Sequence, residues 1–138
     1  MVQVADSRRA LSRAAAAFWG HPSEGLVLVG VTGTNGKTTV TYLLEAILAR
    51  VGARVGVVGT VNYRFEGRVV PAPHTTPESA ELQRILAEMR DAGATHVVME
   101  VASHALALHR VDDCRFDVGV FTNLTQDHLD FHGDMEAY

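Results

Sequence analysis

The chain has 138 residues, of which 47% are hydrophobic and 20% charged, the composition of one modest globular domain with a core. Its net charge of -4 and scattered basic residues exclude a surface that attracts nucleic acid or lipid by bulk charge. One cysteine, Cys114, precludes an internal disulfide and is predicted to be a structural thiol. There is no recognisable signal peptide and no apolar run long enough to span a membrane, so we expect a cytoplasmic protein.

Hydrophobic periodicity predicts that helices and strands alternate along the chain. A helical pattern over Asp6 to Trp19 is followed by the apolar run Leu26 to Val31, which is typical of a buried strand. A glycine-rich loop over 32–37 leads into a helix predicted for Thr38 to Val51. Val55 to Thr60 is the second predicted strand.

The predicted elements after residue 60 include further strands and helices. In chain order they are a hairpin over Asn62 to Val70 with Glu66-Gly67 as its turn, a helix over Glu78 to Ala92 with Thr76 as N-cap, a strand over Thr95 to Val101, a short helix over Leu106 to Arg110, a strand over Val118 to Thr122, a loop from Asn123, and a helix start at Asp134. Apolar strands that alternate with helices predict an α/β fold, with a mostly parallel sheet covered by helices on both faces.

In such a fold, functional loops lie beyond the carboxyl ends of the strands. Segments 32–39, 71–77, 100–110 and 122–132 each follow a predicted strand or hairpin. We therefore expect these segments to converge at one edge of the sheet.

The first of these segments contains the loop Gly33-Thr34-Asn35-Gly36-Lys37-Thr38-Thr39. Glycines let backbone N–H groups turn around a phosphate, and the following helix adds the partial charge of its N-terminus. Lys37 is predicted to reach the β- and γ-phosphates and Thr38 to place its hydroxyl on Mg²⁺, which makes ATP the expected ligand. The strict P-loop pattern fails at Val31, where it requires glycine, and the alternative is a glycine-rich turn with an exposed lysine.

Three further segments narrow the interpretation: His74 to Glu78, Met99 to Leu106 and Thr122 to Gly133. Together with the loop, and in that order, they resemble the Mur ligase family. The resemblance implies a P-loop NTPase-like central domain that is incomplete here. It divides the chain into residues 1–25, the tail of an N-terminal substrate domain and its linker, and residues 26–138, the N-terminal part of the central ATP-binding domain.

The resemblance implies an ATP- and Mg²⁺-dependent amide ligase that extends UDP-MurNAc-L-Ala-D-Glu by a third amino acid through an acyl phosphate. The expected partners are the UDP-MurNAc-dipeptide and diaminopimelate or lysine, with no nucleic acid and no membrane insertion. A carbamylated lysine stands beyond the position of Tyr138 in the family, so we expect a fragment that ends there to be inactive as a ligase.

The resemblance also implies roles for individual residues. Lys37, Glu100 and His128 are the implied catalytic residues, and Thr38, Glu100 and His128 the implied metal ligands. The implied substrate-binding residues are Thr75, Thr76, Ser103 and Arg110. Ser103 replaces a neighbouring hydroxyl that the family often supplies where this chain has Ala102.

Each implied role has a structural alternative. Glu100 could cap the turn after its strand, and His128 could be satisfied inside a loop. Thr76 could cap a helix, and Arg110 could be an ordinary surface arginine. For the whole chain, the alternatives are a folylpolyglutamate-type or cyanophycin-type ligase and a nucleotide-binding module without ligase chemistry. A P-loop kinase would need an acceptor site that the sequence does not reveal.

Overall fold

The computed structural model describes residues 3–138. Within them the strands are β1 (Val27–Thr32), β2 (Val55–Val58), β3 (Asn62–Phe65), β4 (Arg68–Pro71), β5 (His96–Glu100) and β6 (Val118–Phe121). The helices are α1 (Ser7–Phe18), α2 (Lys37–Arg50), α3 (Ser79–Asp91), α4 (Ser103–Ala107) and α5 (Leu129–His132), with a 3-10 turn at Pro22–Gly25.

The strands form one sheet in the order β4-β3-β2-β5-β1-β6. β1 pairs in parallel with β5 and β6, and β2 pairs in parallel with β5, whereas β3 and β4 join antiparallel. Glu66 and Gly67 form the hairpin turn with φ values of 51° and 77°, the left-handed pair that a tight two-residue hairpin loop requires. The predicted mostly parallel sheet and its hairpin are therefore confirmed.

Successive residues of β1 face opposite sides of the sheet, as a strand requires. Leu28 belongs to the larger apolar cluster together with buried residues of α3, and α1 packs against α3 on that side. Val29 and Val31 belong to a second cluster, which includes apolar residues of α2. β1 is thus covered on both faces, which explains its uninterrupted apolar sequence.

Four local predictions are wrong. α3 begins at Ser79 with Glu78 as its cap, and Thr76 does not cap it, because the Thr76 hydroxyl is bonded elsewhere. The short helix α4 lies earlier than predicted, and the left-handed φ of 57° at His109 breaks any continuation. The predicted loop from Asn123 contains α5, and the segment after Asp134 forms a turn.

Candidate phosphate-binding site

A cleft of about 260 Å³ lies at the carboxyl ends of the parallel strands. Val31 of β1 is level with Glu100 of β5, and Val58 of β2 is level with Met99. The lining residues are Thr34, Asn35, Gly36, Lys37, Thr38, Thr39, Thr60, Thr75, Glu100, Ala102 and His128. All four segments expected to converge contribute to this lining, so that prediction is confirmed.

The departure from the strict P-loop pattern has a structural cause. β1 continues through Thr32, so Val31 lies inside the strand and is fully buried beneath α2. The turn itself is made by Gly33 and Gly36, whose φ values are 125° and 86°. Glycine is needed at these two positions and not at 31, because only they have positive φ.

Lys37 opens α2 and lies folded across its own loop. Its ammonium group donates hydrogen bonds to the carbonyl oxygens of Gly33 at 2.6 Å and Thr34 at 3.0 Å. The first N–H groups of a helix have no acceptor within it, and those of α2 begin at Lys37, Thr38 and Thr39. The N-terminus of α2 therefore brings unpaired donors, a partial positive charge and one ammonium group to the cleft.

Glu100 is the buried carboxylate of the site, with only 2% of its surface exposed. Its Oε1 accepts from the Thr38 hydroxyl at 3.0 Å and from the backbone N–H of Thr60 at 3.0 Å. Its Oε2 accepts from the Thr60 hydroxyl at 2.9 Å. These donors compensate the cost of burying the carboxyl group and hold it towards Thr38.

His128 is one of the residues that line the cleft, and its backbone is left-handed, with φ of 52°. Its Nε2 is 3.5 Å from Asp127 Oδ2, and its ring meets that of His104 edge-on with centroids 4.7 Å apart. Burial, together with the neighbouring His128 and His132, lowers the pKa of His104. Within residues 3–138 no group of three or more His, Cys, Asp or Glu side chains could hold a metal ion, so an all-protein metal cage is absent there.

The two predicted threonines occupy different places. Thr75 lines the cleft, and its hydroxyl lies 3.0 Å from that of Thr60. Thr76 is 1% exposed, and its hydroxyl donates to the Glu100 carbonyl at 2.9 Å and accepts from the Ala102 N–H at 3.0 Å. In this conformation Thr76 supports the strand end and has no free hydroxyl for a substrate.

Ser103 and Arg110 lie outside the cleft lining. Ser103 Oγ is 2.9 Å from Nε2 of His132. Arg110 donates to the Thr76 carbonyl at 3.0 Å and forms an ion pair with Glu78 at 2.7 Å. A substrate carboxylate would have to compete with Glu78 for this guanidinium group.

Thr60 and the contribution of Asn123 were not predicted from the sequence. Thr60 follows Gly59 directly after β2, and a Cβ at Gly59 would lie 2.5 Å from Glu100 Oε1. The sequence feature that could have indicated Thr60 is a glycine followed by a threonine after a strand, as in Gly33-Thr34. Asn123 follows β6 in the same way, but its partners lie about 90 residues earlier and no local pattern reveals them.

A second cavity, of about 290 Å³, lies between the β3–β4 hairpin and α3. It is slightly larger and more apolar, and the charged groups on its rim pair with one another, as in Arg84 with Glu81 and Arg68 with Glu88. The smaller cleft, in contrast, brings the glycine-rich loop, Lys37 and the buried Glu100 together, so we place the functional site there. No helix within residues 3–138 is long and apolar enough to cross a membrane.

A glycine turn between a buried parallel strand and the N-terminus of a helix, opening at the carboxyl edge of the sheet, defines a P-loop-type α/β domain. The family model described as the Mur ligase middle domain matches residues 31–138. The chain belongs to the Mur ligase family.

Named relatives agree with this assignment. UDP-N-acetylmuramoyl-L-alanyl-D-glutamate–2,6-diaminopimelate ligase of Geobacter metallireducens is 64% identical over 99% of this chain and 27% of its own length. The ligase of the same name from Caldanaerobacter subterraneus is 54% identical over 100% of this chain and 29% of its own length. The chain thus spans under a third of these relatives.

Solved structures show the same fold. A structure of a ligase with that name has a TM-score of 0.81 and 32% identity, covering 94% of this chain and 27% of that one. Folylpolyglutamate synthase of Mycobacterium tuberculosis, complexed with ADP and AMPPCP, has a TM-score of 0.73 at 18% identity, covering 91% and 35%. At that identity the second similarity concerns the fold alone.

Proposed function

We propose that this chain is the nucleotide-binding part of an ATP-dependent ligase that adds diaminopimelate to UDP-MurNAc-L-Ala-D-Glu in peptidoglycan synthesis. The observation that carries the proposal is the meeting of the loop and Glu100 in one cleft. The names of the relatives support this ligase over a folylpolyglutamate-type enzyme. They also favour diaminopimelate over lysine as the amino acid added.

In this proposal the polyphosphate of ATP lies against the N-terminus of α2. The N–H groups of Lys37, Thr38 and Thr39 donate to phosphate oxygens, and the Lys37 ammonium turns from the loop carbonyls towards the phosphates. Lys37 is the only lysine in the chain. The loop therefore has one mobile positive charge to offer, in addition to fixed backbone dipoles.

The residues present also fit Mg²⁺. An octahedral shell at about 2.1 Å places neighbouring ligand oxygens about 3.0 Å apart. Thr38 Oγ1 and Glu100 Oε1 are already separated by 3.0 Å. These two oxygens would hold the ion together with phosphate and water, and the ion would supply charge neutralisation at the transferring phosphoryl group. His128 remains a predicted metal ligand.

The proposed reaction has two steps. The γ-phosphoryl group passes to the carboxyl group of the dipeptide, giving an acyl phosphate and ADP. The amine of the third amino acid then attacks the carbonyl carbon, phosphate leaves, and the nitrogen releases a proton to give the amide. The chain's own contribution is positioning and stabilisation of charge, the principal demands of phosphoryl transfer. Thr75 is placed to meet the dipeptide at the cleft, whereas Ser103 and Arg110 would have to exchange their present partners.

Nucleotide binding tests the first part of this proposal. We expect the chain to bind Mg-ATP, and Lys37→Ala to weaken binding by about 10- to 100-fold, because a charge-assisted contact is lost. Arg50→Ala is the matched control, since it removes one positive charge from the exposed opposite end of α2. Titration calorimetry measures both affinities, and thermal unfolding checks that both variants are folded. Equal affinity in Lys37→Ala and wild type would overturn the loop assignment.

Ligase activity tests the second part. The natural full-length polypeptide that contains this chain should form ADP, phosphate and the tripeptide product only when the UDP-MurNAc-dipeptide and diaminopimelate are both present. Lysine in place of diaminopimelate should support far slower turnover. Equal use of the two amino acids would remove the proposed selectivity but leave the ligase class intact.

A further inference from the structure

The segment that follows β6 forms hydrogen bonds with the glycine-rich loop over 33–39, on which phosphate is proposed to bind. The N–H of Thr34 donates to the Asn123 carbonyl at 2.9 Å, and the N–H of Asn35 donates to Asn123 Oδ1 at 3.1 Å. The Asn35 carbonyl in turn accepts from Asn123 Nδ2 at 3.0 Å and from the Thr122 hydroxyl at 2.7 Å. We call residues 122–125 the clamp segment.

Thr34 is the most buried side chain of this contact, at 9% exposed. Its hydroxyl accepts from the Thr125 N–H at 3.0 Å and lies 3.1 Å from the Thr125 carbonyl and 2.8 Å from the Tyr138 hydroxyl. One side chain therefore joins the loop to both ends of the stretch 125–138.

The contact is sterically close as well as polar. A Cβ at Gly33 would lie 2.2 Å from Thr122 Oγ1 and 2.8 Å from the Asn123 carbonyl. The loop consequently has little room to shift against the clamp segment. Because the N–H groups of Thr34 and Asn35 already have acceptors, the donors left for phosphate come from Gly36 to Thr39.

We propose that Thr34 is a positioning residue, which contributes to nucleotide binding by fixing the loop on the clamp segment and not by contacting phosphate. The same hydroxyl couples occupancy of the loop to the stretch that carries His128. The inference rests on the proposed nucleotide binding at this loop. By thermodynamic linkage, if an ordered clamp segment raises the affinity for nucleotide, bound nucleotide stabilises the ordered clamp segment by the same free energy.

Removal of the hydroxyl tests the positioning role. Thr34→Val keeps the shape of the side chain but removes the oxygen that accepts from the Thr125 N–H, so this hydrogen bond between the loop and the clamp segment is lost. We expect Mg-ATP affinity to fall by about 5- to 20-fold. Thr34→Ser should restore affinity to within about twofold, since it keeps the oxygen. The matched control is Thr95→Val, which removes a hydroxyl that accepts from the Arg54 backbone N–H at the opposite end of β5.

Hydrogen exchange separates positioning from general stability. Nucleotide should slow amide exchange at Thr125 and His128 in the wild-type chain, and Thr34→Val should reduce that protection. Thr95→Val should leave it unchanged even if it lowers the melting temperature. A Thr34→Val chain that melts lower but binds Mg-ATP with wild-type affinity would overturn the proposal.

Tyr138→Phe provides a second, milder variant if Thr34→Val does not fold. It removes only the hydroxyl that meets Thr34, and we expect affinity to fall by about twofold. In the double variant, affinity should be no weaker than in Thr34→Val alone, because Tyr138 acts through Thr34. Additive losses of affinity would contradict an effect of Tyr138 that acts through the Thr34 hydroxyl.

The two proposals fail in different ways. If the wild-type chain does not bind Mg-ATP, the proposed function itself fails. If the wild-type chain binds normally and Thr34→Val binds equally well, only the positioning role is refuted.

Discussion

Thr60 holds both oxygens of the Glu100 carboxylate. Its backbone N–H donates to Oε1 at 3.0 Å and its hydroxyl donates to Oε2 at 2.9 Å. The approach is possible because Gly59 has no Cβ, which would otherwise lie 2.5 Å from Oε1. A residue from the end of β2 thereby sets the direction of a carboxylate at the end of β5.

Thr60→Val should weaken the apparent affinity for Mg²⁺ in ATP binding. The substitution leaves one oxygen of a buried carboxylate without its donor and frees the group to rotate away from Thr38. We expect the Mg²⁺ concentration for half-maximal ATP binding to rise by about 5- to 10-fold, with a smaller change in metal-free affinity. Titration of Mg²⁺ at fixed ATP measures this. Thr60→Ser should behave as wild type, and a Thr60→Val curve that overlays the wild-type curve would contradict the role given to Thr60.

Gly33→Ala and Gly36→Ala should differ sharply although both positions have positive φ. A methyl group at 33 would meet Thr122 and Asn123, whereas nothing lies within 4 Å of a Cβ at 36. We expect Gly36→Ala to lower the free energy of unfolding by about 1–2 kcal/mol through backbone strain alone, and Gly33→Ala by clearly more. Urea denaturation compares the two. Equal losses would show that the clamp segment moves aside easily.

Thr76→Val should destabilise the chain even without any substrate. The hydroxyl bridges the Glu100 carbonyl and the Ala102 N–H, and both groups lose a partner when it is removed. We expect a loss of about 1–3 kcal/mol in the free energy of unfolding, largely restored in Thr76→Ser. Chemical denaturation provides the measurement. Unchanged stability would return Thr76 to the predicted role of a substrate contact.

Cys114 should be unreactive in the folded chain. It is half-buried against the larger core cluster, and burial, reinforced by Asp113, raises its pKa to about 12. Alkylation by iodoacetamide at pH 8 should therefore be slow until denaturant is added. Rapid alkylation of native protein would contradict the structural role.

The same shift has a consequence for stability at high pH. A thiol in the unfolded chain ionises near pH 8.5, but the folded chain keeps Cys114 protonated to about pH 12. Its contribution to stability is complete below the unfolded pKa and decreases as pH rises through this window. Cys114→Ala should lose that part of the pH dependence, measured as unfolding free energy between pH 9 and 12. An identical slope in both proteins would count against the raised pKa.

Helix and strand types were predictable because β1, β2 and β5 are apolar runs and α3 carries a clear helical stripe. Boundaries were less accurate where polar side chains decide them. Thr76 has the sequence position of an N-cap, but its hydroxyl is taken by a strand two dozen residues away. The helix after Glu100 starts at Ser103 and ends before the left-handed His109, a conformation that no sequence pattern indicated.

The sequence alone determined the loop Gly33 to Thr39, its place between strand and helix, and the family, because these features depend on residues that are adjacent in the chain. Only the tertiary structure decided which groups surround that loop. The pairing of Thr60 with Glu100 spans 40 residues, and that of Thr34 with Thr125 spans 91. Such contacts follow from the order of strands in the sheet, which brings strand ends that are distant in sequence to one edge. No local sequence pattern indicates them.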